Sequence, residues 1–135
     1  MRKSGAKRKS RDINAMLRRR TGLDESQRRD LGLAYHCALA AMERGYGDEQ
    51  THSTLCVVAA IGAMLCEKNI MSEHIHYFIS AQDALDSCRE RGKWGFTAKE
   101  MKAMRIAISF HDEQIAIAPT GLIEDLLKEM FAMLA

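Results

Sequence analysis

One proline, one tryptophan and 6% aromatic residues leave little of what strands are built from. Set beside many Ala, Leu and Met, that scarcity favours helix over sheet. The four cysteines, Cys37, Cys56, Cys66 and Cys88, form no CxxC pair, so a disulfide framework and a zinc site both lack a signature and buried free thiols are expected. The longest apolar run, Leu55 to Cys66, falls far short of the ~20 residues needed to cross a bilayer, so no membrane span is expected. The N-terminus has the charge of a secretory signal without its hydrophobic core, which points to a cytoplasmic protein. HExxH, GxSxG and a Walker loop do not occur, so hydrolase and nucleotide-binding readings have no foothold, no cofactor is called for and an enzyme is not expected.

What is there is an ordinary globular composition, 47% hydrophobic and 28% charged in 135 residues, enough for one domain with its own core. The net charge of +2 conceals an asymmetry. Residues 1–20 carry Arg2, Lys3, Lys7, Arg8, Lys9, Arg11, Arg18, Arg19 and Arg20 against Asp12 alone, leaving this arm at +8 and the remainder at −6. A basic arm on an acidic body is the pattern of a tail that meets a polyanion. A solubilising terminus is the alternative. Residues 1–10 offer no large apolar side chain and are expected to be disordered in isolation, while Ile13, Met16 and Leu17 suit a short amphipathic helix over about 11–20.

The body, 21–135, reads as an all-α bundle of five helices, four of them long, following the short N-terminal helix and the basic tail. The first runs from about Asp24, as N-cap, to Arg44, with Leu31, Ala34, Tyr35, Ala38 and Met42 inward and Gly45 as its stop. The second, from about Glu49 to Lys68, is capped by Asp48 and apolar on every side between Leu55 and Cys66, as suits a central helix. The third starts at Ser72, as cap, and turns Ile75, Phe78, Ile79, Gln82 and Leu85 inward to about Arg91. The fourth opens on the capping box of Thr97 and Glu100, flanked by Phe96 and Met101 at the staple positions. It carries Met101, Met104, Ile108 and Ile115 on one stripe and Ile106, Phe110 and Ile117 on another, up to Pro119. The last begins near Thr120.

Two regions are candidates for binding nucleic-acid phosphates. The arm, through Lys3, Lys7, Arg8, Lys9, Arg11, Arg18, Arg19 and Arg20, can neutralise phosphates without reading sequence. The second lies between Arg89 and Arg105, where six basic residues face two acids, a local +4 in a body otherwise at −10. Lys99, Lys102 and Arg105 fall within an arc of about 120° on helix four, and Arg91, Lys93 and Trp94 lie on the approach to it. Trp94, between Gly92 and Gly95, suits stacking on a single-stranded base beside cations. A core anchor plugging the corner is the other reading.

His111, followed by Asp112 and Glu113, suits a hydrogen-bonded structural histidine, with pairing to a carboxylate conceivable. His74 and His76, two apart on a helix, diverge by ~200° and cannot share a metal. The last helix carries Glu124, Asp125 and Glu129 against Lys128 alone, so major-groove reading by that helix is disfavoured.

The segments Arg11-Asp12-Ile13-Asn14-Ala15-Met16, Leu33-Ala34-Tyr35-His36, Gly45-Tyr46-Gly47-Asp48-Glu49-Gln50, Ala81-Gln82-Asp83-Ala84-Leu85, Gly92-Lys93-Trp94-Gly95-Phe96 and His111-Asp112-Glu113-Gln114 resemble a family of small proteobacterial proteins often labelled Fis-family transcriptional regulators. The resemblance spans most of the chain, and its label implies DNA binding, transcription regulation and a bacterial or mobile-element setting. Two function classes follow. One is a non-enzymatic protein contacting nucleic-acid backbone through the arm and the Trp94 corner. The other is a protein-interaction module, possible as a homo-oligomer, whose acidic body binds a basic partner.

Overall fold

A computed structural model describes residues 25–134. Among them lie five α-helices and no strand: α1 (Glu25–Arg44), α2 (Glu49–Glu67), α3 (Ile75–Arg91), α4 (Ala98–Ile117) and α5 (Thr120–Leu134), with a 3-10 turn, Ser72–His74, before α3. The expected Asp24 cap, the short helix over 11–20, the disorder of the first ten residues and the eight arm cations from Lys3 to Arg20 lie outside the described residues.

Local chemistry sets the helix ends. Gly45 takes φ +82 and stops α1, a left-handed dihedral that costs glycine nothing. Asp48 then caps α2: its carboxylate accepts from the Thr51 N–H at 2.8 Å, and Thr51 Oγ1 accepts from the Asp48 N–H at 2.9 Å. The same reciprocal arrangement opens α4, where Thr97 Oγ1 accepts from the Glu100 N–H at 3.2 Å and Glu100 accepts from the Thr97 N–H at 2.9 Å. Ser72 departs from its expected part. It opens the 3-10 turn without side-chain capping, and the reversal is carried by left-handed Asn69 and Met71, φ +66 and +59.

The central helix is α2, touched by α1, α3, α4 and α5. One core joins Tyr35, Leu39 and Met42 of α1, Leu55, Val58 and Ala59 of α2, Phe78, Ala81 and Leu85 of α3, and Met101, Met104 and Ile108 of α4. A smaller one sets Ile61 and Leu65 of α2 against Ala118 and the Ile123, Leu126 and Met130 stripe of α5. Gly62 decides how closely α3 approaches, because a Cβ there would be driven into the Phe78 ring.

Two expected faces turn. On α1, Leu31 and Ala34 are exposed and Leu39 is buried, since α1 packs on α2 and α4 and the stripe centres on Tyr35, Ala38 and Met42. On α3, Ile79 is exposed, and Ala81, Ala84 and Cys88 line the buried seam beside Phe78 and Leu85. Helix separation follows side-chain size at the contact, so small residues there let the backbones close and leave no room for Ile79.

Candidate phosphate-binding corner

The corner is the α3–α4 connection, residues 92–97. Gly92, at φ +70, ends α3, and the loop is then braced from both flanks. From α3, the Cys88 thiol donates to the Lys93 carbonyl at 3.1 Å. The Arg91 guanidinium donates to Gly95 O at 2.9 Å and to both Glu100 carboxylate oxygens at 2.6 Å. Bidentate pairing of this kind adds geometric specificity to charge. The Arg91 hydrogen bonds, joined by the Thr97 N–H, hold the Glu100 carboxyl below the usual carboxylate range, and Glu100 in turn raises Arg91.

The six cations of the corner therefore divide. Arg91 is engaged by Glu100, Arg105 pairs with Glu43 at the end of α1, and Arg89 turns its guanidinium to the Cys56 sulfur at 3.9 Å. Lys93, Lys99 and Lys102 are exposed and form no ion pair among the described residues.

Trp94 is half-buried and packed against the larger core. Its ring lies 5.0 Å from that of His52, tilted by 54°. Its carbonyl closes on the α1–α2 turn, where a Cβ at Gly47 would strike both that oxygen and the Met42 sulfur. The two loops thus meet at one end of the bundle. Tyr46, next to Gly47, is 79% exposed there. Sequence reasoning gave it only a place in a turn; the signal it carried was an aromatic side chain between two glycines with no helical stripe to join.

His111 is buried, as a structural histidine would be, and its partner is Gln114, with Nδ1 and Oε1 3.0 Å apart. Burial lowers its pKa, only partly offset by Gln114 and Asp112, and keeps the ring neutral near pH 7. The Gln114 amide continues the network by donating to Gly62 O at 3.0 Å and Ile70 O at 3.2 Å. Asp112 points elsewhere, accepting from the Tyr35 hydroxyl and meeting His36 Nε2 at 2.9 Å. The conceivable His111–Asp112 pairing does not form, because neighbours on a helix point ~100° apart. Burial and Asp112 together push the Tyr35 hydroxyl far up, so it stays protonated.

The thiols follow expectation in part. All four are free, Cys66 and Cys88 are buried, Cys56 is half-buried and Cys37 is exposed, because α1 turns that flank outward. Two Glu-x-x-His spacings, Glu49 to His52 and Glu73 to His76, are of the type that di-iron bundles use in pairs. Here His52 is bonded to the Leu85 carbonyl near the start of α2, whereas His76 sits at the start of α3, beyond the other end of α2. No group of three side chains able to hold a metal occurs among the described residues. A surface groove of about 370 Å³ beside the corner is lined by Ser80, Asp83, Ser87, Thr97, Lys99 and Glu100, a mixed set with no nucleophile–base pair. No described helix is long and apolar enough to cross a membrane.

Comparison with family models, with curated proteins and with solved structures finds no match to this chain. The resemblance drawn from its motifs rests on those motifs alone.

Proposed function

We propose that the protein is a non-enzymatic, nucleic-acid-associated regulatory protein. In this reading it contacts phosphate backbone through Lys93, Lys99 and Lys102 at the α3–α4 corner, and through its basic arm. One observation carries the reading: of the cations clustered there, these three lysines are exposed and form no ion pair among the described residues, while carboxylates engage Arg91 and Arg105. Free lysines gain from a phosphate; arginines already held by carboxylates contribute less to it and more to the shape of the loop. Lys99 and Lys102 also stand in the opening turns of α4, the unfavourable end of the dipole for a cation, which suits a use in binding. The acidic remainder of the body repels a polyanion and orients it toward this end. Tyr46 and the solvent-facing part of Trp94 supply aromatic surface for unpaired bases.

Fluorescence anisotropy with labelled single- and double-stranded oligonucleotides over a salt series tests this. Replacing Lys93, Lys99 and Lys102 together by Ala should flatten the log affinity against log salt slope by roughly two to three, at ~0.7–0.9 per phosphate lost. An unchanged slope would remove the corner from the interface.

A protein partner is the second reading, favoured by the exposure of Ile117, Phe131 and Met133 along α4 and α5. Apolar docking of that kind would respond weakly to salt.

A further inference from the structure

On the seam between α2 and α3, beside the corner, a thiol, an imidazole and a guanidinium converge. Cys56, Gln82, Leu85, Asp86 and Arg89 line a small surface depression of about 230 Å³. His52 lies one turn before Cys56 on α2 and is buried, its Nε2 2.8 Å from the Leu85 carbonyl oxygen. A carbonyl only accepts, so the ring proton is on Nε2 and Nδ1 presents its lone pair. That lone pair faces Cys56 Sγ at 3.6 Å, and the Arg89 guanidinium approaches the same sulfur at 3.9 Å. The other thiols are placed differently: Cys66 and Cys88 are buried and donate to backbone carbonyls, and Cys37 is exposed without a partner among the described residues.

We propose that Cys56 is a thiol–disulfide exchange site for a small, carboxylate-bearing disulfide of the oxidised-glutathione type, with His52 as base and Arg89 as anion contact. In the exchange, Cys56 Sγ attacks one sulfur of the incoming disulfide while its proton passes to His52 Nδ1. The S–S bond of the reagent breaks, and the departing thiolate takes that proton back. One disulfide bond replaces another, so the products are a mixed disulfide on Cys56 and one free small thiol, with no other oxidant required. The surroundings explain why a base is needed. Burial, with Arg89 opposing it, pushes the Cys56 thiol up, and the thiolate is the attacking species. Nδ1 is in place to receive the proton, and Arg89 stands where charge develops on sulfur. Asp86 and Arg89 give the depression one charge of each sign, which matches a ligand carrying both an ammonium and carboxylates.

The adduct has a built-in reporter. His52 bridges the site to Trp94, whose ring is 5.0 Å away and is the chain's single tryptophan. The experiment uses the full chain carrying Cys37→Ser, which removes the exposed competitor. It is incubated with oxidised glutathione and, in parallel, with neutral 2-hydroxyethyl disulfide, then followed by peptide-mapped mass spectrometry and tryptophan emission. The expected result is a single glutathione adduct on Cys56, formed with a change in Trp94 emission. Arg89→Gln, at an exposed position, should slow the oxidised-glutathione reaction by about fivefold and the neutral reagent by clearly less, because only the former also loses its carboxylate contact. Because His52→Gln alters a buried group, it is informative only as a variant shown to be folded by circular dichroism, and there both reagents should slow. The proposal is overturned if Cys56 stays unmodified in the folded chain. Modification at Cys66 or Cys88, linkage only between two copies, or equal slowing of both reagents by Arg89→Gln would overturn it as well.

Discussion

The two apolar clusters that share α2 differ in how they are closed. The larger one, shared by α1 to α4, has Leu55, Phe78 and Cys88 at no measurable exposure, and takes in the polar groups His52, His111 and Gln114, all hydrogen-bonded. Among the described residues the smaller one is a single seam, in which α5 packs mainly on α2 and leaves Phe131 and Met133 more than half exposed. The difference teaches where cooperativity resides. A side chain held from three helices has nowhere to relax when a neighbour is cut away, whereas one held across a single seam can slide. On this contrast, stability is expected to reside mainly in the first cluster, with α5 the first of the described helices to loosen.

The largest expected effect tests the closed side. Phe78→Ala should cost ~3–5 kcal/mol, read from denaturant unfolding, since the ring is wedged against the α2 backbone at Gly62. A loss below 1 kcal/mol would mean the two clusters do not differ as described. On the open side, Leu126→Ala should fall near the bottom of the ~2–5 kcal/mol range for buried leucines, because α5 can settle onto α2. Equal losses at Phe78 and Leu126 would erase the contrast.

Next comes the polar network. Gln114→Ala leaves Ile70 O and the His111 Nδ1–H without their partner, a cost of ~1–3 kcal/mol for buried polar groups. The same network carries a pH signature. Folding lowers the His111 pKa, so below the unfolded value of about 6.5 the unfolded chain binds the extra proton and the folded chain does not. Stability is therefore complete above that pH and declines as pH falls through it, by up to ~1.4 kcal/mol per pH unit. Urea unfolding at pH 7 and pH 5.5 should show the decline, smaller in a folded His111→Gln variant. A stability rising toward acid pH would contradict the neutral, buried ring.

How much of this was legible follows the same division. Helix ends written in local chemistry were readable: Gly45, the Asp48 cap and the Thr97/Glu100 box need only their own neighbours. The α2 core was readable because its apolar run leaves no face for water. The exposed Ile79 and the buried Ala81 and Ala84 were not, because interhelix distance depends on a glycine nineteen residues before Ala81. At the corner, the sequence placed Lys93, Lys99 and Lys102 together with Arg91 and Arg105, yet it held no sign that Glu100 and Glu43 would engage the arginines. Glu43 is sixty-two residues from its partner. Asp112 beside His111 misled for the opposite reason, since adjacency along a helix is separation in space.

The smallest expected effect on stability sharpens the comparison most. Phe131 stands on α5 beside the buried Leu126 and Met130 stripe, yet is 59% exposed, so Phe131→Ser should shift unfolding free energy by no more than ~0.5 kcal/mol. If the open side of the molecule is an interaction surface, the same change should still act on association. Sedimentation or light scattering across a concentration series would show any self-association of the parent weakened in the variant, and insensitive to salt as apolar contacts are. The lysine corner should behave in reverse, with Lys99→Ala and Lys102→Ala altering salt-sensitive oligonucleotide binding and leaving association untouched. Were Phe131→Ser to destabilise the fold by several kcal/mol instead, α5 would be closed by contacts beyond the α2 seam, and the open side would have to be counted as core.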